Sequence, residues 1–202
     1  TYLAARAGEL DMLQWMVEKK YKVTARTMSG AAASGNLACL QWLRAQGSAW
    51  DESTFSAAAA GGHLHVAEWL VEVVPPCPWH WRTTMNAARA GQCDMLRFLL
   101  EQGCPCDWRT VEAAAEGGHV DCLECVVLEG GLPLDAEAAE GAARGGHLDT
   151  LQWLRQHGCP WDEDTCSKAS EGGHLEVLRW AHEHGCPWDE ECVTGAARGG
   201  HL

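Results

Sequence analysis

Several features that identify particular classes of protein are rare or absent in this sequence. No apolar run approaches the roughly 20 residues that a transmembrane helix needs, so we expect no membrane span. Lysine and arginine number 15 against 28 aspartates and glutamates, a formal charge of −13, which argues against a nucleic-acid binder with its basic footprint. Tyrosine and phenylalanine number two each, whereas tryptophan and cysteine number eleven each. Such a bias toward a few residue types indicates an internal repeat.

A glycine followed by a polar and then an apolar residue recurs every 27 to 29 residues. Alanine lies four residues before every one of these anchor glycines. The anchors are Gly8, Gly35, Gly62, Gly91, Gly118, Gly146, Gly173 and Gly200. This spacing predicts that residues 1–202 form one array of similar units, and we expect the array to be a piece of a longer one.

The residues after each anchor have the spacing of an amphipathic helix, here called helix B. Apolar residues come two, five and seven positions after the anchor, as Leu148, Leu151 and Trp153 do after Gly146. A second set of glycines follows the last turn, where a left-handed C-cap favours glycine: Gly47, Gly103, Gly130, Gly158 and Gly185.

A shorter helix, here called helix A, is predicted before each anchor. The loop ahead of it ends in an aspartate, a strong N-cap residue, at Asp51, Asp107, Asp135, Asp162 and Asp189. The fourth, seventh and eighth positions after that aspartate are small or apolar, as in Val111, Ala114 and Ala115, while the second and fifth vary freely. The longer copies carry Pro75–Pro76 and Gly130–Gly131, and we expect both insertions in the loop after helix B.

These features predict an all-α solenoid. A unit of about 27 residues cannot bury its own apolar face, so neighbouring helix A–turn–helix B units must stack, and the alanine column lets the helices approach closely. One tryptophan on most copies of helix B would supply much of the buried area.

The chain resembles the ankyrin-repeat family. Residues 173–185 read Gly-His-Leu-Glu-Val-Leu-Arg-Trp-Ala-His-Glu-His-Gly, similar to the second helix of an ankyrin repeat, and the alanine pair before each anchor also fits. Ankyrin units are about 33 residues long, so we expect the β-hairpin fingers to be shortened or absent. The resemblance implies protein binding through the concave surface lined by helix A and the loops, without catalysis.

Four cysteines have a spacing that resembles that of zinc ligands. They are Cys104, Cys106, Cys122 and Cys125, in the pattern C-x-C…C-x-x-C. Each of them, however, occupies a column of the repeat, where a buried cysteine acts as a small apolar residue. We therefore expect no metal and no cofactor, with a zinc-dependent fold around residues 104–125 as the alternative. An odd number of cysteines within an apolar framework favours a reducing, intracellular compartment, cytoplasmic or nuclear.

Histidine opens helix B in five copies, where a polar turn or cap role explains its exchange for Glu9, Asn36 or Gln92. These histidines are His63, His119, His147, His174 and His201. No nucleophile–base–acid set stands apart from the repeat, so we expect no enzyme and no catalytic residue.

The variable stripe of helix A is the predicted partner-binding surface. It changes sign along the chain: residues 1–60 carry six Lys/Arg against five Asp/Glu (+1), and residues 61–202 carry nine against 23 (−14). One end should attract acidic partners and the other basic ones. Trp81 and Trp108 at the first position after the cap are either a binding hot spot or packing between loops. The predicted site comprises Trp81, Arg82, Met85, Trp108, Arg109, Glu112, Glu137 and Glu140.

The predicted function is a monomeric, non-catalytic scaffold that binds another protein, not nucleic acid and not a membrane. Two alternatives stay open on the sequence. In the first, the array is the recruitment module of a larger enzyme or ubiquitin-ligase adaptor whose active domain lies elsewhere. In the second, it is a purely structural spacer.

Overall fold

A computed structural model describes residues 1–200, except for the side chain of Val193. His201 and Leu202, which the repeat pattern assigns to another helix B, lie outside the described residues. The chain divides into two compact units, described separately below. Unit 1 comprises Thr1–Ala87 and Gln92–Pro105, and unit 2 comprises Ala88–Gly91 and Cys106–Leu202.

Helix A and helix B alternate along residues 1–200, and that range contains no β-strand. The helix A copies are α1 (Tyr2–Ala7), α3 (Ala25–Ala33), α5 (Glu52–Ala60), α7 (Trp81–Arg89), α9 (Trp108–Glu116), α11 (Ala136–Gly145), α13 (Glu163–Glu171) and α15 (Glu191–Gly199). The helix B copies are α2 (Leu10–Glu18), α4 (Leu37–Ala45), α6 (Leu64–Glu72), α8 (Cys93–Glu101), α10 (Val120–Leu123), α12 (Leu148–Gln156) and α14 (Leu175–Glu183). The predicted all-α fold without β-hairpin fingers is confirmed. Within this range no helix has both the length and the apolar character to cross a bilayer.

In unit 1, α3 packs between α1 and α5, and each of these helices also contacts the helix B that follows it. The helix B copies form a second layer in which α2 contacts α4 and α6 contacts α8. Leu40, Phe55 and Leu70 are completely buried between the layers, as are Ala31 and Ala58 of the alanine column. Burying one such leucine stabilises the fold by about 1.5–3 kcal/mol.

Unit 2 repeats this arrangement. α11 packs between α9 and α13, α13 also contacts α15, and α12 contacts α14 in the helix B layer. Ala114, Ala142 and Ala169 are completely buried, as the alanine column predicts. A Cβ atom on Gly141 would lie 2.9 Å from the backbone oxygen of Glu112, so small residues are what allow α11 to lie this close to α9.

The histidine that opens helix B packs against the anchor glycine of the preceding copy. All eight anchors have φ between +69° and +76°, a region that favours glycine. His63 at the start of α6 places its ring against Gly35 of the preceding copy, and its Nε2 lies 3.1 Å from the Ala33 oxygen. His174 does the same with Gly146 and with the Arg144 oxygen at 3.0 Å. The histidines occupy the predicted turn and N-cap position, but their side chains make no cap hydrogen bond and instead link neighbouring copies.

The one-residue insertion near Gly130 lies inside helix B and not in the loop after it. Here α10 continues as a π-helix, Glu124–Glu129, whose wider turn accommodates an extra residue. The glycine with positive φ is consequently Gly131 (+70°), whereas the cap pattern assigned that role to Gly130. The insertion of Pro75 and Pro76 does lie in the loop that follows α6.

Candidate protein-interaction surface

The second position of helix A is exposed in most copies, whereas the fifth position is half-buried or buried in most. Arg82 and Glu137 at second positions are exposed, but Ser56 and Ser167 at fifth positions are buried. The Ser56 hydroxyl lies 3.2 Å from the hydroxyl of Thr83 on the next helix A. The sequence pattern therefore overstated the freedom of the fifth position, because a serine that varies in type can still be buried and hydrogen-bonded.

Unit 1 contributes Trp81, Arg82 and Met85 of α7 to the predicted surface. The Arg82 guanidinium lies 5.3 Å from the centre of the Trp81 ring, and the His80 ring lies 5.1 Å from it on a tilted plane. Met85 is half-buried one turn further along the helix. These side chains form a cationic surface with an apolar component.

Unit 2 contributes Trp108, Arg109 and Glu112 of α9 and Glu137 and Glu140 of α11. Trp108 is 41% exposed, and the Arg109 guanidinium lies 4.9 Å from its ring centre. The same guanidinium pairs with Asp107 at 2.8 Å, the residue that caps α9. Trp108 thus offers an exposed ring that its neighbour holds in place.

Several charged residues of unit 2 pair with each other across neighbouring copies of helix A. Arg144 lies 3.5 Å from Glu112 and 3.9 Å from Glu116, and Arg89 lies 2.7 Å from Glu116. Exposed pairs of this kind contribute about 0–1 kcal/mol each. Glu112 is therefore partly neutralised by Arg144 before any partner arrives.

Four carboxylates in unit 2, here called the acidic cluster, form no ion pair among the described residues: Glu137, Glu140, Asp162 and Asp164. Carboxylate oxygens of the last three lie within 4.8 Å of one another. Asp162 makes no cap hydrogen bond to α13, unlike Asp51, Asp107 and Asp135 in the same column. Its Oδ1 is buried and accepts no hydrogen bond within the described part of the chain.

The acidic cluster shifts the pKa of Glu140. Burial raises the pKa of the Glu140 carboxyl, and the nearby charges of Asp162, Asp164 and Glu137 raise it further, while Arg144 opposes them. Oxygen ligands of this type suit Mg²⁺ or Ca²⁺. Glu140, Asp162 and Asp164 therefore lie close enough together to offer a cation three carboxylate ligands.

The cysteines occupy framework positions. Most of the eleven are buried, and Cys122 and Cys125 of the predicted quartet are completely buried in unit 2. The loop cysteines donate weak hydrogen bonds to the loop of the preceding copy, as Cys159 does to the Asp135 oxygen at 3.1 Å and Cys186 to the Asp162 oxygen at 3.2 Å. Burial raises the pKa of the Cys159 thiol to about 12, which keeps it protonated and able to donate.

Relieving the repulsion in the acidic cluster should stabilise the protein. We expect Glu140→Gln to raise the free energy of unfolding at neutral pH by about 0.5 kcal/mol, the scale of a like-charge contact on a helix surface. Because the folded pKa of Glu140 lies above its ordinary value, its contribution to stability is present at low pH and is lost as the pH rises through the folded pKa. The gain from Glu140→Gln should therefore vanish at about pH 4. Urea unfolding of both proteins at neutral pH and at about pH 4 measures this gain.

The matched control is Glu112→Gln on the same surface. Glu112 has Arg144 at 3.5 Å, so its neutralisation removes an attraction and should give no gain at neutral pH. An equal gain from both variants would contradict the role assigned to the acidic cluster and would point to the net charge alone.

The sequence identified Glu137 and Glu140 as site residues but assigned Asp162 only to capping. Its sequence context is the same as that of Asp189, and no local signal separates the two. What changes the role of Asp162 is Glu140, 22 positions earlier in the chain, which lies beside it only in the folded array.

Comparison with known proteins agrees with this geometry. Residues 28–110 match the family model "Ankyrin repeats (3 copies)". The fold is similar to that of the human ASB11 ankyrin repeat domain, with a TM-score of 0.61 and 23% sequence identity over 79% of this chain and 83% of that one. No curated protein sequence matches the chain. Residues 28–110 are thus similar to ankyrin repeats, and the repeated helix A–glycine turn–helix B unit has the fold of an ankyrin repeat domain.

Proposed function

We propose that this chain is a non-catalytic scaffold that binds another protein along helix A and its adjoining loops. Ankyrin repeats are generally protein-interaction modules. The observation that supports this surface most directly is that Glu140, Asp162 and Asp164 lie close together, with the charge of Glu137 nearby, and form no ion pair in the described structure. A partner that brings basic side chains would relieve this repulsion on binding.

Unit 1 offers a different chemistry in the proposal. Trp81, Arg82 and Met85 present a cation beside an aromatic ring and an apolar side chain, which suits an acidic partner segment with an apolar residue. Trp108 and Arg109 in unit 2 repeat this pairing. Rim charges of this kind affect the association rate and its salt dependence more than the dissociation rate.

The framework residues leave the exposed positions of helix A available to a partner. The alanine and leucine columns are buried in the core, and the histidines and anchor glycines form contacts between neighbouring copies. We further propose a monomer in a reducing, intracellular compartment, cytoplasmic or nuclear, because an odd number of mostly buried cysteines suits such a compartment.

Affinity capture from a cell lysate with matched baits tests the function. The test bait carries Glu137→Lys and Glu140→Lys, and the control bait carries Asp149→Lys and Glu176→Lys, two exposed helix B positions in the same unit with the same change of charge. A third bait carries Arg82→Glu and Arg109→Glu. We expect a protein that the unmodified and control baits retain and that the test bait loses by about tenfold or more, the loss that a hot-spot residue gives.

Equal loss from the test and control baits would show that net charge, and not the helix A surface, holds the captured protein. Retention of nothing by a bait with an intact helical circular-dichroism spectrum would contradict the scaffold function and favour a structural spacer.

A further inference from the structure

The same three-residue contact occurs once in each unit, between one copy and the next. In unit 1 the Arg44 guanidinium lies 4.1 Å from the centre of the Trp50 ring, and that ring meets Trp69 edge-on with centroids 5.7 Å apart. In unit 2 Arg155 lies 4.0 Å from Trp161, which meets Trp180 at 5.9 Å. Each arginine also donates a hydrogen bond to a carbonyl of its own loop, at Ser48 or Cys159. The shared contact therefore fixes the loop against the next helix B.

In unit 2 this contact lines a groove of about 480 Å³, here called the tryptophan groove. It is formed by Gln152, Arg155 and Gln156 of α12, Trp161 of the loop, Trp180 of α14 and the adjacent His184. The positions of Gln156 and His184 in unit 1 hold Ala45 and Val73, which supply no polar atom beyond the backbone. Unit 1 consequently provides a natural reference with the structural contact but without the polar groove.

His184 extends one wall of the groove. Its ring stacks on Trp180 with centroids 4.3 Å apart and planes 24° apart, and its Nδ1 lies 2.7 Å from the Trp180 oxygen. Because only a protonated Nδ1 can donate to that carbonyl, the neutral ring keeps Nε2 as an acceptor. The stack holds two flat rings beside the Trp161 ring.

The groove offers more hydrogen-bond donors than the protein uses. Within the described residues neither indole N–H of Trp161 and Trp180 donates a hydrogen bond, and Arg155 has no carboxylate within 4.0 Å. A side chain with free guanidinium N–H groups in a chain of charge −13 attracts an anion locally. The ligand that fits is rich in acceptors, has flat apolar faces and carries a carboxylate.

We propose that the tryptophan groove binds an extended, proline-rich segment of a partner protein that carries an acidic residue. A polyproline II segment has no internal hydrogen bonds, so its carbonyls are free to accept from the indole N–H groups and the glutamine amides. Its pyrrolidine rings pack on the exposed parts of the His184 and Trp161 rings, and its extended form loses little entropy on binding. The acidic side chain pairs with Arg155. The groove lies on helix B and the loop, so it is separate from the helix A surface and its test is independent of that proposal.

Titration with a synthetic peptide tests the groove. The probe is an acetylated and amidated heptapeptide of proline with glutamate at its centre, and the reference peptide has glutamine there. We expect the probe to shift the indole N–H resonances of Trp161 and Trp180 and to bind more tightly than the reference. Trp161→Ala should weaken binding by about tenfold or more, as loss of a central aromatic contact does.

Two further variants separate recognition from folding. Trp50→Ala removes the equivalent ring of unit 1 and should leave the affinity for the probe unchanged. Gln156→Glu places a carboxylate at an exposed groove position and should weaken the glutamate probe more than the glutamine reference, with the fold intact. Failure of the probe to bind, equal effects of Trp50→Ala and Trp161→Ala, or no discrimination by Gln156→Glu would each overturn the proposal.

Discussion

Replacing Gly146 with alanine should lower the free energy of unfolding by about 2–5 kcal/mol, from two separate causes. Gly146 ends α11 at φ +76°, and an L side chain in this region costs about 1–2 kcal/mol. Its added Cβ would also lie 2.4 Å from Nδ1 of His174, so the ring must move. Moving the ring breaks its contact with the Arg144 oxygen, and crowding of this kind costs about 1–3 kcal/mol more.

Gly158 provides the control for the backbone part. It follows α12 with φ +79°, but a Cβ there would meet nothing within 4 Å. Gly158→Ala should therefore cost only about 1–2 kcal/mol. The difference between the two substitutions isolates the contact between the anchor glycine and the histidine of the next copy.

A double-mutant cycle completes the test. In a His174→Ala background the ring is absent, so Gly146→Ala should cost no more than Gly158→Ala does. Urea unfolding followed by far-ultraviolet circular dichroism gives all four free energies. If Gly146→Ala and Gly158→Ala cost the same in the unmodified background, the anchor glycines serve only the turn, and the histidine link between copies contributes no stability.

The repeat register could be predicted from the sequence because it depends on contacts that recur in every copy. Alanine four residues before each anchor and leucine five residues after it are columns, and Ala142 and Leu151 are completely buried as those columns predict. A stacked array repeats one environment, so agreement between copies shows which residues share that environment. Local propensity and packing both favour the same helices, which is why their bounds follow the pattern so closely.

The features that the sequence did not predict depend on what lies beside a residue in the fold. Gly130 and Gly131 are both glycines after helix B, and only the π-helix before them decides which one adopts positive φ. His174 follows the glycine turn as a cap residue would, yet its ring bonds to Arg144, 30 positions earlier. Both outcomes are set by the neighbouring backbone and not by residue type.

The candidate sites show the same limit more strongly. Trp161 and Trp180 belong to apolar columns, and column membership gives no angle between their rings and no position for Arg155. Asp162 has the sequence of a cap, and Glu140 from the preceding copy gives it a different environment. The candidate sites of this repeat protein thus lie where one copy differs from the others. The effect of such a difference depends on the three-dimensional neighbours of the residue.

The core gives the second large prediction, because α12 places two leucines in different environments. Leu151 is completely buried, whereas Leu148, one turn earlier, is partly exposed. Leu151→Ala should cost about 2–5 kcal/mol, since it removes apolar contacts and leaves a cavity that the neighbouring helices cannot fill. Leu148→Ala should cost clearly less, about 1–2 kcal/mol, because water already reaches the side chain and no closed cavity forms. Urea unfolding of both variants measures the difference. Equal costs would show that enclosure adds nothing to what a leucine contributes, whereas the expected inequality makes enclosure by the neighbouring helices the source of most of the contribution of Leu151, as the energetics of a stacked array require.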